Sequence, residues 1–216
     1  MGNNPSNSGI ALQLTEKEIV LHYAYKIRLK IGYSTKFPHR YEGLKLWDSN
    51  IILARYIVLN SSLFKDKSVL ELASGTGIGG ISIKKYTSAS HITFTDLSDE
   101  VVGNIRSNCK KNGFVDVDKI IAIRMDWKEH ESFKKKYDVV IVSDPFFHHC
   151  TPENLYSIML NFLKLGGSMI VVAPSSSSMR TFLDLIEVHK FKIFHAKLDN
   201  TEYFNSPLFN LVEGEE

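Results

Sequence analysis

The residues best able to do chemistry stand at the ends of apolar runs. Gly75, Gly77 and Gly80 follow the run SVLELA in the spacing G-x-G-x-x-G and precede a stretch with helical periodicity. Glycines at such a turn let the backbone approach a ligand, and free amides at the start of the following helix point at it. Asp96 closes the next run, HITFTD, 19 residues beyond Gly77. A carboxylate there accepts from both hydroxyls of a ribose, so the pair predicts a nucleoside ligand. Asp126 with Trp127 ends a third run and Asp144 a fourth, while Glu71 lies inside the first, four residues before Gly75.

This set distinguishes between nucleoside ligands. A dinucleotide site wants no anion facing its pyrophosphate, whereas Glu71 suits the cationic methionine end of S-adenosylmethionine, directly or through water. Asp126 can accept from the adenine amine and Trp127 can cover the ring. NAD enzymes usually need a separate substrate domain, for which 216 residues leave too little chain. S-adenosylmethionine is therefore the expected cofactor, with Glu71, Ala73, Gly75, Gly77, Asp96, Leu97, Asp126, Trp127 and Ser143 as candidate contacts. Plainer roles compete: Glu71 as an ion-paired core carboxylate, Asp96 as a helix cap, Trp127 as core filler. His148, His149 and Cys150 are adjacent, so they point in different directions, and no metal is expected. A serine hydrolase is disfavoured because no Gly-x-Ser-x-Gly elbow occurs.

The elements that must position these residues alternate. Runs at 68–73, 91–96, 119–125, 137–144 and 168–174 read as strands, and stretches ending at Tyr86 and spanning 99–112, 152–163 and 179–189 read as helices. Residues 191–198 and 207–213 read as strands with no helix between them, hence an antiparallel pair. The expected fold is α/β and Rossmann-like: a seven-stranded sheet of five parallel strands plus a C-terminal hairpin, with helices on both faces. Ahead of it, Thr15 and Glu18 form a capping box that opens a helix with the stripe Ile19, Tyr23 and Ile27, and a second helix spans 48–59. The division is a polar tail over 1–13, a helical extension over 14–60 and the catalytic core over 61–216.

Lys and Arg number 26 against 24 Asp and Glu, too near balance to imply a stable nucleic-acid partner. Residues 1–45 are more basic, with seven Lys or Arg against three Glu. Two cysteines make no disulfide framework and suit a reducing compartment, the cytoplasm or nucleus, and a monomer is expected. The start MGNNPS permits N-myristoylation of Gly2, though the plainer reading is a polar tail; one acyl chain would hold the protein only weakly to a membrane.

With these residues placed, the chain resembles the seven-strand protein lysine methyltransferases, the group that includes calmodulin-lysine methyltransferase. The resemblance is carried by GLKLWDSNIILARYI at 43–57, VLELASGTGIGGI at 69–81, ITFTD at 92–96, MDW at 125–127 and IVSDPFF at 141–147. It implies that Trp47 lies against the cofactor, that Asp144 and the aromatic Phe147 serve catalysis, and that the partner is a protein carrying the target lysine. Ala73 stands where the family usually has its first glycine. Asp144, Pro145, Phe146 and Phe147 also resemble the signature of amine-directed methyltransferases, some acting on nucleobases, so a nucleic-acid acceptor is the alternative. A non-catalytic interaction module is the other.

Overall fold

Apolar runs without alternation are buried on both sides only in a parallel sheet covered by helices, and such a sheet forms here. The computed structural model describes residues 14–22, 27–35, 39–114, 120–146 and 150–194. Strands β3 (Ser68–Leu72), β4 (His91–Asp96), β5 (Ile120–Arg124), β6 (Tyr137–Ser143) and β7 (Leu163–Val172) lie in the order β5-β4-β3-β6-β7, all parallel. β3, at the centre, is buried along its whole length. The crossovers are α2 (Ile78–Tyr86), α3 (Asp99–Lys111), a 3-10 helix at Trp127–Ser132 and α4 (Pro152–Phe162), and α5 (Ser177–Val188) follows β7. Ser98, Thr151 and Ser176 start α3, α4 and α5 by accepting from amides three residues on, which satisfies donors that have no partner inside a helix. One apolar layer gathers Phe94, Ile81 and Ile105, and the other Leu70, Tyr137 and Phe162.

The five parallel strands match expectation, and among the described residues the sheet consists of those five. Residues 191–194 carry no regular structure, and the rest of the expected C-terminal hairpin lies outside the described residues. Among the described residues the antiparallel pair is N-terminal. β1 (Thr15–His22) and β2 (Ile27–Tyr33) make a separate two-stranded sheet, so the helix expected from Thr15 and Glu18 is a strand. The spacing of Ile19, Tyr23 and Ile27 suits a helix, but the residues actually buried, Ile19 and Leu21, then Leu29 and Ile31, alternate. Tyr23 lies outside the described residues.

This hairpin packs on α3 through asparagines. Asn108 and Asn104 donate to the Gly32 carbonyl at 3.1 and 3.0 Å, Asn108 accepts from the Gly32 amide at 2.8 Å, and Asn112 exchanges both bonds with Lys30. Spaced four apart, these amides lie on one face of α3 and serve the edge of β2 as a neighbouring strand would. The expected helix over 48–59 is present as α1 (Asp48–Leu59).

Candidate active site

Because all five strands run the same way, their carboxyl ends share one edge, and neighbours of β3 reached by opposite crossovers leave a crevice there. The loop from Ala73 to Gly77 lies in that crevice. Gly75 and Gly77 have φ of +54° and +78°, and a Cβ on Gly75 would lie 3.1 Å from the Gly43 carbonyl. Only glycine meets both demands without strain. Ala73 also has positive φ, +45°, and its side chain is exposed, which explains why glycine suits that position.

Asp96 is 9% exposed and accepts from the Gly75 amide at 3.0 Å and the Ser98 amide at 3.4 Å. Burial raises its pKa, and those amides oppose the rise. Asp96 is therefore locked to the glycine loop, and Leu97 beside it is 57% exposed, an uncovered apolar group at the mouth. Gly43 approaches from the other side: a Cβ there would lie 2.9 Å from Val101 and 3.6 Å from the Asp96 carboxylate. Sequence reasoning gave Gly43 no role.

Glu71, expected at the methionine end of the cofactor, is 3% exposed. Its carboxyl is turned beneath the loop into the first turn of α2, where it accepts from the Gly80 amide at 3.1 Å. A Cβ on Gly79 would lie 2.2 Å from it and one on Gly80 2.9 Å. Burial pushes its pKa up to about 8, the Gly80 and Ser74 hydrogen bonds pull against that, and the Asp96 charge adds to the rise. Thr76 Oγ1 in the same loop is fully buried without a hydrogen-bond partner among the described residues.

On the β6 side, Ser143 is buried and its hydroxyl accepts from Asn50 Nδ2. Asn50 Oδ1 accepts from the Trp47 amide at 3.1 Å. Trp47 caps α1, donates its indole N–H to the Glu42 carbonyl at 3.3 Å, and has the Lys45 ammonium 4.1 Å from its ring centre. Asp144 follows Ser143 with φ +48° and donates its amide to the Val172 carbonyl at 2.7 Å. Burial raises the pKa of its side chain. A non-glycine residue held at positive φ stores strain that the surroundings must enforce.

Asp126 and Trp127 stand at the end of β5, but Asp126 caps the 3-10 helix through the Lys128 amide at 2.9 Å, and Trp127 packs into the clusters of Phe162 and Phe182. Trp127 is partly buried there. Phe146 also faces the core, with its ring 6.0 Å from that of Phe182, and Phe147, His148 and His149 lie outside the described residues. Among the described residues no three His, Cys, Asp or Glu side chains group as metal ligands. Asn50 and Asn108, whose amide also donates to the Thr76 carbonyl at 2.9 Å, were missed. The four-residue spacing of Asn104, Asn108 and Asn112 was the available signal for the second; nothing local marked the first.

A family model for lysine methyltransferases matches residues 27–189. The chain belongs to that family. Relatives of this chain include the protein-lysine N-methyltransferase EFM3 of Chaetomium thermophilum, 31% identical over 65% of this chain and 44% of its own length. The histidine protein methyltransferase 1 homolog of Dictyostelium discoideum is 28% identical over 70% and 51%, and the calmodulin-lysine N-methyltransferase of Arabidopsis thaliana 29% over 65% and 48%. The chain thus spans about half the length of these relatives. The crystal structure of SMU.776 complexed with SAH superposes with a TM-score of 0.59 at 19% identity, over 81% of this chain and 47% of that one. That likeness shows an α/β methyltransferase fold: a parallel sheet of five strands, with a two-stranded antiparallel sheet beside it.

Proposed function

We propose that the protein transfers a methyl group from S-adenosylmethionine to a lysine side chain of another protein. The observation that carries this is the convergence of Asp96, the left-handed glycine loop and the strained Asp144 on one sheet edge. The residues fit the cofactor: Gly75 and Gly77 hold a left-handed loop that carries no side chain, Asp96 presents a carboxylate beside it, and Leu97 offers an uncovered apolar face. When bound, S-adenosylmethionine supplies an electrophilic methyl group on a cationic sulfur.

The rest of the work falls to the chain. A free lysine amine has a pKa near ~10.4 and must shed its proton to act as a nucleophile. Asp144, whose pKa is raised by burial, holds a proton better than a surface aspartate does and can orient the amine. Phe146 is engaged by Phe182, and the catalytic aromatic that the resemblance implies is Phe147. Most of the acceleration then comes from alignment rather than from a strong base. The relatives named for lysine and histidine favour a protein acceptor, and the near-balanced charge gives a nucleic acid little to bind. The same proposal has a monomer acting in cytoplasm or nucleus, touching membranes only if Gly2 is acylated.

Incubation with radiolabelled cofactor and a cell extract, with and without nuclease, tests the reading. Label should appear in a protein band as methyl-lysine and vanish with Asp144→Ala. Label in nuclease-sensitive material, or tight binding of NADH in place of the sulfonium nucleoside by calorimetry, overturns it.

A further inference from the structure

We propose that Asn50 is a positioning residue for methyl transfer, tying the Trp47 cap of α1 to the Ser143–Asp144 corner of β6. The inference rests on the function proposed above. Asn50 is 7% exposed and Ser143 likewise 7%, so neither polar group has water to fall back on. The Trp47 amide is a donor and must meet Oδ1, at 3.1 Å, which leaves Nδ2 to donate to the Ser143 hydroxyl. An apolar residue at this position serves neither side.

The geometry gives this bridge a task. Trp47 sits at the start of α1, with its ring 4.1 Å from a cation and its indole N–H on the Glu42 carbonyl of the segment that carries Gly43 to the glycine loop. Asp144 sits one residue beyond Ser143 at φ +48°, a conformation that costs an aspartate energy and relaxes unless its neighbours are fixed. Its amide is held by Val172, from the β7 side. Asn50 holds the preceding residue from the α1 side. The aspartate is thus pinned between two elements, and its angle to the cofactor side of the crevice is set by a bond that spans 93 residues of sequence.

The test compares Asn50→Leu, Ser143→Ala and the double variant. Turnover is measured well below each variant's melting temperature, SAH affinity by calorimetry, and Trp47 emission, without ligand, in a Trp127→Phe background. Asn50→Leu and Ser143→Ala should each lower kcat roughly 10- to 100-fold, the scale of a misaligned reacting group. The double variant should be no slower than the worse single, SAH affinity should fall by less than kcat does, and Trp47 emission should shift in Asn50→Leu. Turnover within about twofold of wild type in folded variants overturns the inference. A fall in kcat with unmoved Trp47 emission overturns it as well, because the coupling would then not pass through the α1 cap. A wild-type protein that labels no protein overturns the proposed function and this inference together, whereas an active wild type with unimpaired variants overturns this inference alone.

Discussion

Replacing Glu71 by Gln removes a titrating group while keeping size and the acceptor for the Gly80 amide. In the folded protein the carboxyl is raised from its ordinary 4.5 to about 8, chiefly by burial. The unfolded chain therefore ionises first as pH rises, and the folded state loses stability relative to it from about pH 4.5 until Glu71 ionises in place near 8. Each pKa unit corresponds to about 1.4 kcal/mol. The span from 4.5 to about 8 then amounts to a loss on the order of 5 kcal/mol, of which on the order of 3 kcal/mol has accrued by neutral pH. Glutamine has no such slope. Urea denaturation followed by circular dichroism, at intervals between about pH 5 and pH 8.5, should show Glu71→Gln gaining several kcal/mol on wild type across that range. A stability difference that stays constant with pH would refute the picture of a buried, protonated carboxyl under α2.

Ala73→Gly should stabilise the fold by about 1 kcal/mol, because Ala73 is held at φ +45° where glycine is unstrained; an unchanged denaturation midpoint counts against that conformation. Gly80→Ala should cost about 1–3 kcal/mol or abolish folding, since the new Cβ would stand 2.3 Å from Phe94 Cε1 and 2.9 Å from the Glu71 carboxylate; thermal unfolding reads the loss. Asp138 accepts from the Ser68 amide at 2.9 Å, the Ser68 hydroxyl at 2.5 Å and Lys164 at 2.9 Å, which hold its carboxyl well below the usual carboxylate range. Its contribution is present above its unfolded pKa near ~4 and is lost as pH falls, so melting curves of Asp138→Asn should fall less steeply than wild type below about pH 4.

Much of the sheet was readable in advance, because a strand buried on both faces is apolar at most positions, as SVLELA and YDVVIVS are. Once the strands are parallel, every strand end falls on one edge, so Asp96 and Asp144 could be assigned to a common site from their positions alone. The N-terminal hairpin was not readable: Ile19, Tyr23 and Ile27 fit a helical period as well as Ile19 and Leu21 fit a strand's, and only docking on α3 through Asn104, Asn108 and Asn112 decides between them.

The local sequence thus determined which residues form strands, turns and glycine contacts, since those follow from backbone conformation and short-range spacing. Tertiary structure decided where polar side chains point. It turned Glu71 into α2, packed Trp127 against two apolar clusters, and joined Asn50 to Ser143. A buried polar group takes whichever partner packing brings within reach, and that partner is remote along the chain.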